Sequence, residues 1–235
     1  MKTARLPPIR SSLEVSGERF IREKMRVARV AGLAGIRLYT ATPASGLWRL
    51  AKAGGQGRPP YWAYAWAGGL ALARHVLDKP ETVMGRRVLD LGAGSGLVGI
   101  AAAKAGAASV FSAETDAHAR VAIGLNAVEN GVAVELIEGD VLDDPPPAVD
   151  VVLAGDVFYD EAVAKPMLTF LDRCLAAGIY VLVGDPGRAP LPSHRLRAVA
   201  HYDVPDFGDG AARTPAWVFA LEPHGVPGEA AENRR

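Results

Sequence analysis

The chain of 235 residues holds a single cysteine, Cys174. No disulfide can form within it, and a reducing compartment is expected: the bacterial cytoplasm, or the mitochondrial matrix for a eukaryotic source. Neither sign of charge is in excess, since 26 basic residues balance 26 acidic ones. That balance argues against a broad electrostatic grip on nucleic acid, although local basic patches near the N-terminus stay open. No apolar run approaches the length needed to span a bilayer, so no membrane role is expected. The five histidines show no H-x₃-H, H-E-x-x-H or cysteine-paired spacing, which argues against a metal site. The N-terminus lacks the apolar stretch of a secretory signal. Lys2, Arg5 and Arg10, with no acid in the first thirteen residues, fit a transit segment, but Pro7 and Pro8 spoil an amphipathic helix there. A flexible, untargeted start over residues 1–16 is the expectation.

What the sequence does contain is concentrated in Val-Leu-Asp-Leu-Gly-Ala-Gly-Ser-Gly, Val88 to Gly96. A short apolar run holds an acid, Asp90. Gly92, Gly94 and Gly96 follow at alternate positions, and a helix pattern begins. This reads as a strand feeding a tight backbone turn at a ligand site. A phosphate at the helix N-terminus would not tolerate the acid, because like charges about 4 Å apart cost roughly 4 kcal/mol at an effective dielectric near 20. Asp90 suits a cationic ligand instead, such as the ammonium of S-adenosylmethionine. Two other readings stand beside it. Gly94, Gly96 and Gly99 also satisfy the dinucleotide pattern G-x-G-x-x-G, with Glu114 about 20 residues on. The glycines are otherwise a structural turn only.

The order of elements places these residues. A helix is expected over 18–31 and a short strand over Ile36–Thr40. Ala53–Pro60 reads as a glycine- and proline-rich loop, followed by the aromatic segment Tyr61–Trp66 and a helix over Gly69–Leu77. Strands are expected at Val88–Leu91, Ser109–Ala113, Val134–Ile137, Asp150–Ala154 and Ile179–Val183. Helices are expected at Leu97–Ala105 and at Ala117–Asn130, the latter with Val121, Leu125 and Val128 on one face. Pro166 should open a further helix that runs to Ala176. Ala198–Val204 and Ala216–Leu221 should close the domain as antiparallel strands. The alternation predicts a largely parallel, doubly wound α/β sheet.

In such a sheet ligands bind beyond the carboxyl ends of the strands, where strand order reverses. Glu114, after the second strand, can accept from ribose hydroxyls, or is a solvated loop acid. Asp116 is favoured as a helix N-cap. In Gly139-Asp140-Val141, Asp140 can accept from an adenine amino group or is a turn aspartate, and Val141 is counted with it at the cofactor site. Gly155-Asp156-Val157-Phe158-Tyr159-Asp160 follows the fourth strand. Asp156 can orient an incoming ammonium and Tyr159 can align an amine and attract a cation. The plainer reading makes Asp156 a cap and Tyr159 a packing residue. Asp185 and Arg188 divide evenly between a substrate contact and a salt-bridged loop. His75 and His118 read as surface or half-buried, and Cys174 as a core thiol. Tyr61, Trp62, Tyr64 and Trp66 read as a packed cover over the ligand rather than a base-stacking platform.

Val88–Gly96 resembles motif I of the seven-β-strand, class I S-adenosylmethionine-dependent methyltransferases. Asp156-Val157-Phe158-Tyr159 resembles the D-x-x-Y motif of their protein-lysine branch. Pro60–Ala63 through Trp66–Gly69, then Gly155–Asp160, then Gly184-Asp185-Pro186-Gly187-Arg188, is similar to the electron-transfer flavoprotein β-subunit lysine methyltransferases, over Ile36 to the last strand. The resemblance implies a Rossmann-like, mostly parallel seven-stranded sheet with an N-terminal extension. It implies S-adenosyl-L-methionine as cofactor and lysine of that β subunit as acceptor. By matching position Trp66 packs near the cofactor, Gly92 and Gly94 approach its methionine part, and Glu114 holds the ribose. Gly155, Asp156 and Tyr159 then lie by the methyl group and the incoming amine. Trp66-Ala67 departs from the Trp-Pro often found in the branch, and Glu114 from a more frequent aspartate. Ribosomal-protein lysines are the alternative acceptor. A small-molecule or nucleic-acid methyltransferase, a nicotinamide-dependent oxidoreductase and a non-catalytic module that keeps the cofactor remain as other classes.

The expected division is therefore a flexible 1–16, an extension over 17–68 that covers the site, a methyltransferase domain over 69–222, and a flexible tail over 223–235. The expected cofactor-binding residues are Trp66, Asp90, Gly92, Gly94, Gly96, Glu114, Asp140, Val141 and Gly155. The expected catalytic residues are Asp156 and Tyr159.

Overall fold

The computed structural model describes residues 12–47, 59–205 and 212–223. Most of the expected loop at 53–60, residues 1–11 of the expected flexible start and all but the first residue of the expected tail lie outside them.

A seven-stranded sheet runs through the middle of the chain. Its strands are β3 (Arg87–Leu91), β4 (Ser109–Ala113), β5 (Glu135–Leu136), β6 (Val151–Gly155), β7 (Tyr180–Asp185), β8 (Leu196–Pro205) and β9 (Arg213–Leu221), in the spatial order β5-β4-β3-β6-β7-β9-β8. The first five pair in parallel, and β9 and β8 close the far edge antiparallel. β3 and β6 are apolar on both faces because helices cover both. On one side lie α2 (Ala67–Asp78) and α3 (Leu97–Lys104), over a core that includes Leu72, Ile100 and Leu153. On the other lies α5 (Glu161–Ala176), over Leu89, Phe158 and Phe170, with Cys174 fully buried among them. Burial pushes that thiol's pKa up to about 11, so it stays protonated and inert. Strand order reverses between β3 and β6, which is where a cleft must open.

Ahead of the sheet, α1 (Ser12–Lys24) packs on α4 (Ala117–Glu129), and β1 (Arg26–Arg29) pairs antiparallel with β2 (Arg37–Thr40). Ile21, Met25, Leu47, Trp62 and Ala63 form a small core with Ala119, Ala122 and Leu125 of α4.

Several expectations need correction. The first helix spans Ser12–Lys24 instead of 18–31, so part of the supposed flexible start is helical. Residues Arg26–Arg29 leave the helix because they complete a hairpin with β2. Val128 is 77% exposed: the buried face of α4 is carried by Ala119, Ala122, Ile123, Leu125 and Asn126. His118 is buried, packed where a side chain on Gly17 would stand. Pro166 lies inside α5, which begins at Glu161. Asp160 caps that helix by accepting from the Ala162 amide, so the start is fixed upstream of the proline. The proline then removes only the bond to the Ala162 carbonyl, beside the cavity.

Candidate active site

A cavity of about 740 Å³ opens beyond the carboxyl ends of the parallel strands. That is within the usual range for small-molecule sites, roughly 300–1,000 Å³. Trp66, Asp90, Gly92, Gly94, Glu114, Asp140, Val141, Gly155, Asp156 and Tyr159 all line it. Gly96 does not. It is the left-handed N-cap of α3 (φ 79°), and a Cβ there would stand 3.2 Å from Ile123 Cγ2. Its place in the motif is set by packing on α4.

The glycine turn is held from below. Gly92 and Ala93 donate to the Ala113 carbonyl, and Gly92 and Gly94 have φ of 66° and 54°. Those values favour glycine and leave the cavity side free of Cβ atoms. Gly94 donates to Glu114 Oε2 at 2.9 Å, while Thr115 and Asp116 donate to Oε1. Three of about four acceptor positions on that carboxylate are thus used, and one remains for a hydroxyl donor. Burial raises the Glu114 pKa, against the lowering effect of those three amides. Asp116 caps α4 through the His118 and Ala119 amides. Asp140 caps a short 3₁₀ turn, Val141–Asp143, through the Leu142 amide, which matches its plainer reading, and it still borders the cavity.

Two acids have a role that their positions in sequence only half disclose. Helix α3 starts at Gly96, which has no side chain to cap it. Asp90 does so from β3: its Oδ2 accepts from the Gly99 amide at 2.8 Å. A Cβ on Gly99 would come within 3.1 Å of that oxygen, so the glycine makes room for the carboxylate. Asp90 is 1% exposed, and burial pushes its pKa up to about 7 despite the bond to Gly99. The same geometry removes the dinucleotide reading. A pyrophosphate needs the amides at this helix start, and a carboxylate already holds one of them.

Helix α2 likewise starts without a capping side chain, at Trp66. Asp156 supplies the cap from the end of β6. Its Oδ1 accepts from the Gly68 amide at 3.1 Å and its Oδ2 from Gly69 at 2.5 Å. Arg188 Nη1 donates to Oδ1 at 2.6 Å and to Asp185 Oδ2 at 3.0 Å. Asp185 is fully buried and also accepts from the Gly187 and Arg188 amides. Asp156 has φ 58°, the sole left-handed non-glycine backbone among the described residues. Burial raises its pKa and Arg188 opposes that shift. Such strain persists only where surrounding contacts fix it, and four residues do so here: Gly68, Gly69 and Arg188 on the carboxylate, and the Gly184 carbonyl on the Asp156 amide. The three sequence segments similar to the flavoprotein-methylating enzymes, around Trp66–Gly69, Gly155–Asp160 and Gly184–Arg188, therefore meet on one carboxylate. Asp156 orients these elements and has three donors of its own, so its plainer reading as a cap holds, with α2 rather than the following segment as the helix it caps, and it still borders the cavity. Asp185 and Arg188 form the salt-bridged loop, and Arg188 reaches the cavity wall.

The mouth of the cavity is aromatic. Tyr61 and Tyr159 are about half exposed, with ring centroids 5.6 Å apart. Tyr61 meets Trp66 edge-on at 5.8 Å, and Trp66 Nε1 donates to the Tyr61 carbonyl.

A parallel sheet with two antiparallel closing strands, a glycine turn after β3 and an acid after β4 beside one cleft define a class I methyltransferase fold. Solved structures share it. A ribosomal protein L11 methylase from Lactobacillus delbrueckii subsp. bulgaricus aligns with a TM-score of 0.50 at 22% identity, over 68% of this chain and 81% of that one. A Pyrococcus abyssi tRNA (uracil-54, C5)-methyltransferase in complex with S-adenosyl-L-homocysteine aligns with a TM-score of 0.54 at 14% identity, over 85% of this chain and 45% of that one. Within that class the match is narrower. The family model described as lysine methyltransferase matches residues 62–190. The electron transfer flavoprotein beta subunit lysine methyltransferase of Danio rerio is 38% identical over 174 residues, covering 70% of this chain and 67% of the relative. The chain belongs to the lysine methyltransferase family.

Proposed function

We propose that the protein uses S-adenosylmethionine to methylate lysine on the electron-transfer flavoprotein β subunit. The acceptor is inferred from the relatives. The chemistry is carried by one observation: the cavity joins a glycine turn and a fixed acid on one side to an aromatic mouth on the other. The donor supplies a methyl group on a positively charged sulfur. Glu114 has an acceptor position left for a ribose hydroxyl. Asp140 and Val141 border the adenine end. Gly92 and Gly94 allow close approach of the methionine part, and Asp90 lies below it as a counter-charge.

The acceptor amine must be neutral when it attacks the methyl carbon. From an ordinary lysine pKa near 10.4, deprotonation at pH 7 costs about 4–5 kcal/mol. A desolvated aromatic approach past Tyr61, Trp66 and Tyr159 lowers that cost by disfavouring the ammonium. Asp156, whose oxygens are taken up by Arg188 and the α2 amides, does not pin the amine in its charged form. Catalysis then rests on alignment. The reducing compartment proposed with this reading, bacterial cytoplasm or mitochondrial matrix, accords with a buried free thiol at Cys174.

The test is incubation of the purified protein with labelled S-adenosylmethionine and an extract from a strain that lacks it, beside purified flavoprotein. Label on a lysine of the β subunit is expected. Label on a ribosomal protein would replace the acceptor and keep the chemistry. Turnover on a small molecule with no labelled protein would overturn both.

A further inference from the structure

We propose that Asn126 is a positioning residue that ties the occupied cofactor turn to the N-terminal cover of the active site. The inference rests on the cofactor reading above and adds a route by which the donor orders the acceptor side.

Asn126 lies in the last turn of α4 and is fully buried. Its Nδ2 donates to the Ser95 carbonyl, inside the glycine turn, at 2.8 Å. Its Oδ1 accepts from the Tyr39 amide of β2 at 2.8 Å. One partner is an acceptor and the other a donor, so only this orientation of the amide satisfies both. β2 continues to Ala41, whose amide donates to the Ala63 carbonyl at 3.4 Å. Ala63 adjoins Trp62, which lines the cavity and stands over the turn: a Cβ on Gly94 would be 3.7 Å from Trp62 Cα. Three hydrogen bonds joined by short stretches of backbone thus connect Ser95 to the cavity's aromatic wall. Tyr61, next in line, carries the mouth.

Among the described residues β1–β2 pairs with no strand of the main sheet. Val30, Leu33, Ile36 and Leu38 seat the hairpin in the core against α2, and asparagines at the end of α4 hold its β2 edge. Its outer clamp is Asn130, which accepts from the Arg37 amide and donates to the Arg37 carbonyl. Asn130 reaches no atom of the glycine turn among its described bonds. Two asparagines one helical turn apart therefore hold the same strand, and only Asn126 also holds the turn. When a ligand fixes the turn, the Ser95 carbonyl is fixed, Asn126 with it, and β2 is ordered in consequence. This is a physical path between the two halves of the site, open to direct test.

The experiment is hydrogen exchange at the Tyr39 and Ala41 amides, with and without S-adenosylhomocysteine, alongside calorimetric binding of that ligand. In the unaltered protein the ligand should slow exchange at both amides by about fivefold or more. Asn126→Asp keeps an acceptor for the Tyr39 amide and loses the donor to Ser95. It should bind the ligand about tenfold more weakly, the scale of one lost buried hydrogen bond, and show no ligand-induced slowing. Asn130→Ala should speed basal exchange at β2 and keep the ligand-induced slowing. Slowing that persists in Asn126→Asp overturns the proposal. So does binding to the unaltered protein without any slowing, a result that needs no variant to fold. If the ligand does not bind the unaltered protein at all, the cofactor reading fails first and this proposal falls with it.

Discussion

Two seams border the active site, and they are built in opposite ways. Helix α2 meets the sheet backbone to backbone. A Cβ on Gly68 would stand 2.1 Å from the Gly184 carbonyl oxygen, one on Gly184 2.2 Å from the Gly68 oxygen, and one on Gly155 2.9 Å from Gly69 Cα. The N-terminal segment instead meets α4 through side chains: a small apolar cluster around Ile21 and Trp62, and the two asparagine clamps. The first seam has no flexible atom to give way. The second is made of side chains that can repack, although Val30, Leu33, Ile36 and Leu38 of the same segment reach the main core. The difference places the rigid seam under Asp156 and Arg188 and the yielding one under the cover.

The strongest blow to this comparison falls on Gly68. Gly68→Ala forces a methyl group into backbone, and overpacking with no room to relax should cost about 3 kcal/mol or more. For a chain of this size that lowers the melting temperature by roughly 10 °C. Gly124→Ala is the control, because that helical glycine has nothing within 4 Å. It should gain about 0.5–1 kcal/mol from reduced backbone freedom. Thermal unfolding of the two variants side by side decides the matter. Equal melting temperatures would mean that the seam is not close-packed.

Next in size is the carboxylate between these glycines. Asp156→Ala strands the Gly68 and Gly69 amides and leaves Arg188 with Asp185 alone. Breaking a largely buried pair from one side typically costs 3–5 kcal/mol, and the partly exposed Arg188 points to the lower end, about 3 kcal/mol. The double variant Asp156→Ala, Arg188→Met should lose less than the sum of the two single changes. Strict additivity in denaturant titrations would show that the two residues do not act as a unit.

The same contrast explains what could be read in the sequence. The sheet strands, α2 to α4 and the closing antiparallel pair follow from apolar runs and glycine stops, and the glycine turn and Glu114 fall at the strand ends where a doubly wound sheet binds its ligand. What escaped was long-range capping. Neither Trp66 nor Gly96 has a side chain that caps its helix, and that deficiency was the signal that Asp156 and Asp90, distant in sequence, would serve instead. The spacing of Gly96 says nothing of Ile123 beside it. The first helix was misplaced because Met25, Val27 and Val30 continue a helical spacing. Tertiary pairing with β2, which local pattern cannot express, draws residues 26–29 into a strand.

The yielding seam gives a smaller effect. Ile21 is fully buried in the cluster between α1 and α4. Ile21→Ala should cost about 2–4 kcal/mol locally. Exchange should rise across β1 and β2 while β3 and β6 keep their protection, if the cover opens separately from the sheet. Uniform loss of protection would merge the two seams into one cooperative unit.

The smallest effect tests the acid beneath the turn. Asp90 has a pKa of about 7 in the folded protein against 3.8 for the ordinary side chain. Between those values the folded state holds a proton that the unfolded chain has released. Stability contributed at this site therefore falls as pH rises through that window and levels off above about 7. A cationic ligand reverses the preference by favouring the carboxylate. Its binding should release a proton from Asp90 near neutrality, and affinity should rise by about fivefold from pH 6 to 7 and about twofold more from pH 7 to 8. Calorimetry of S-adenosylhomocysteine in buffers of differing ionisation enthalpy measures the released proton directly. Asn in place of Asp90 keeps an acceptor for the Gly99 amide and cannot titrate, so Asp90→Asn should flatten the slope that the side chain contributes. The ligand's own ionisation is common to both proteins and cancels in the comparison. An unchanged slope would assign Asp90 to helix capping alone and remove it from the recognition of charge.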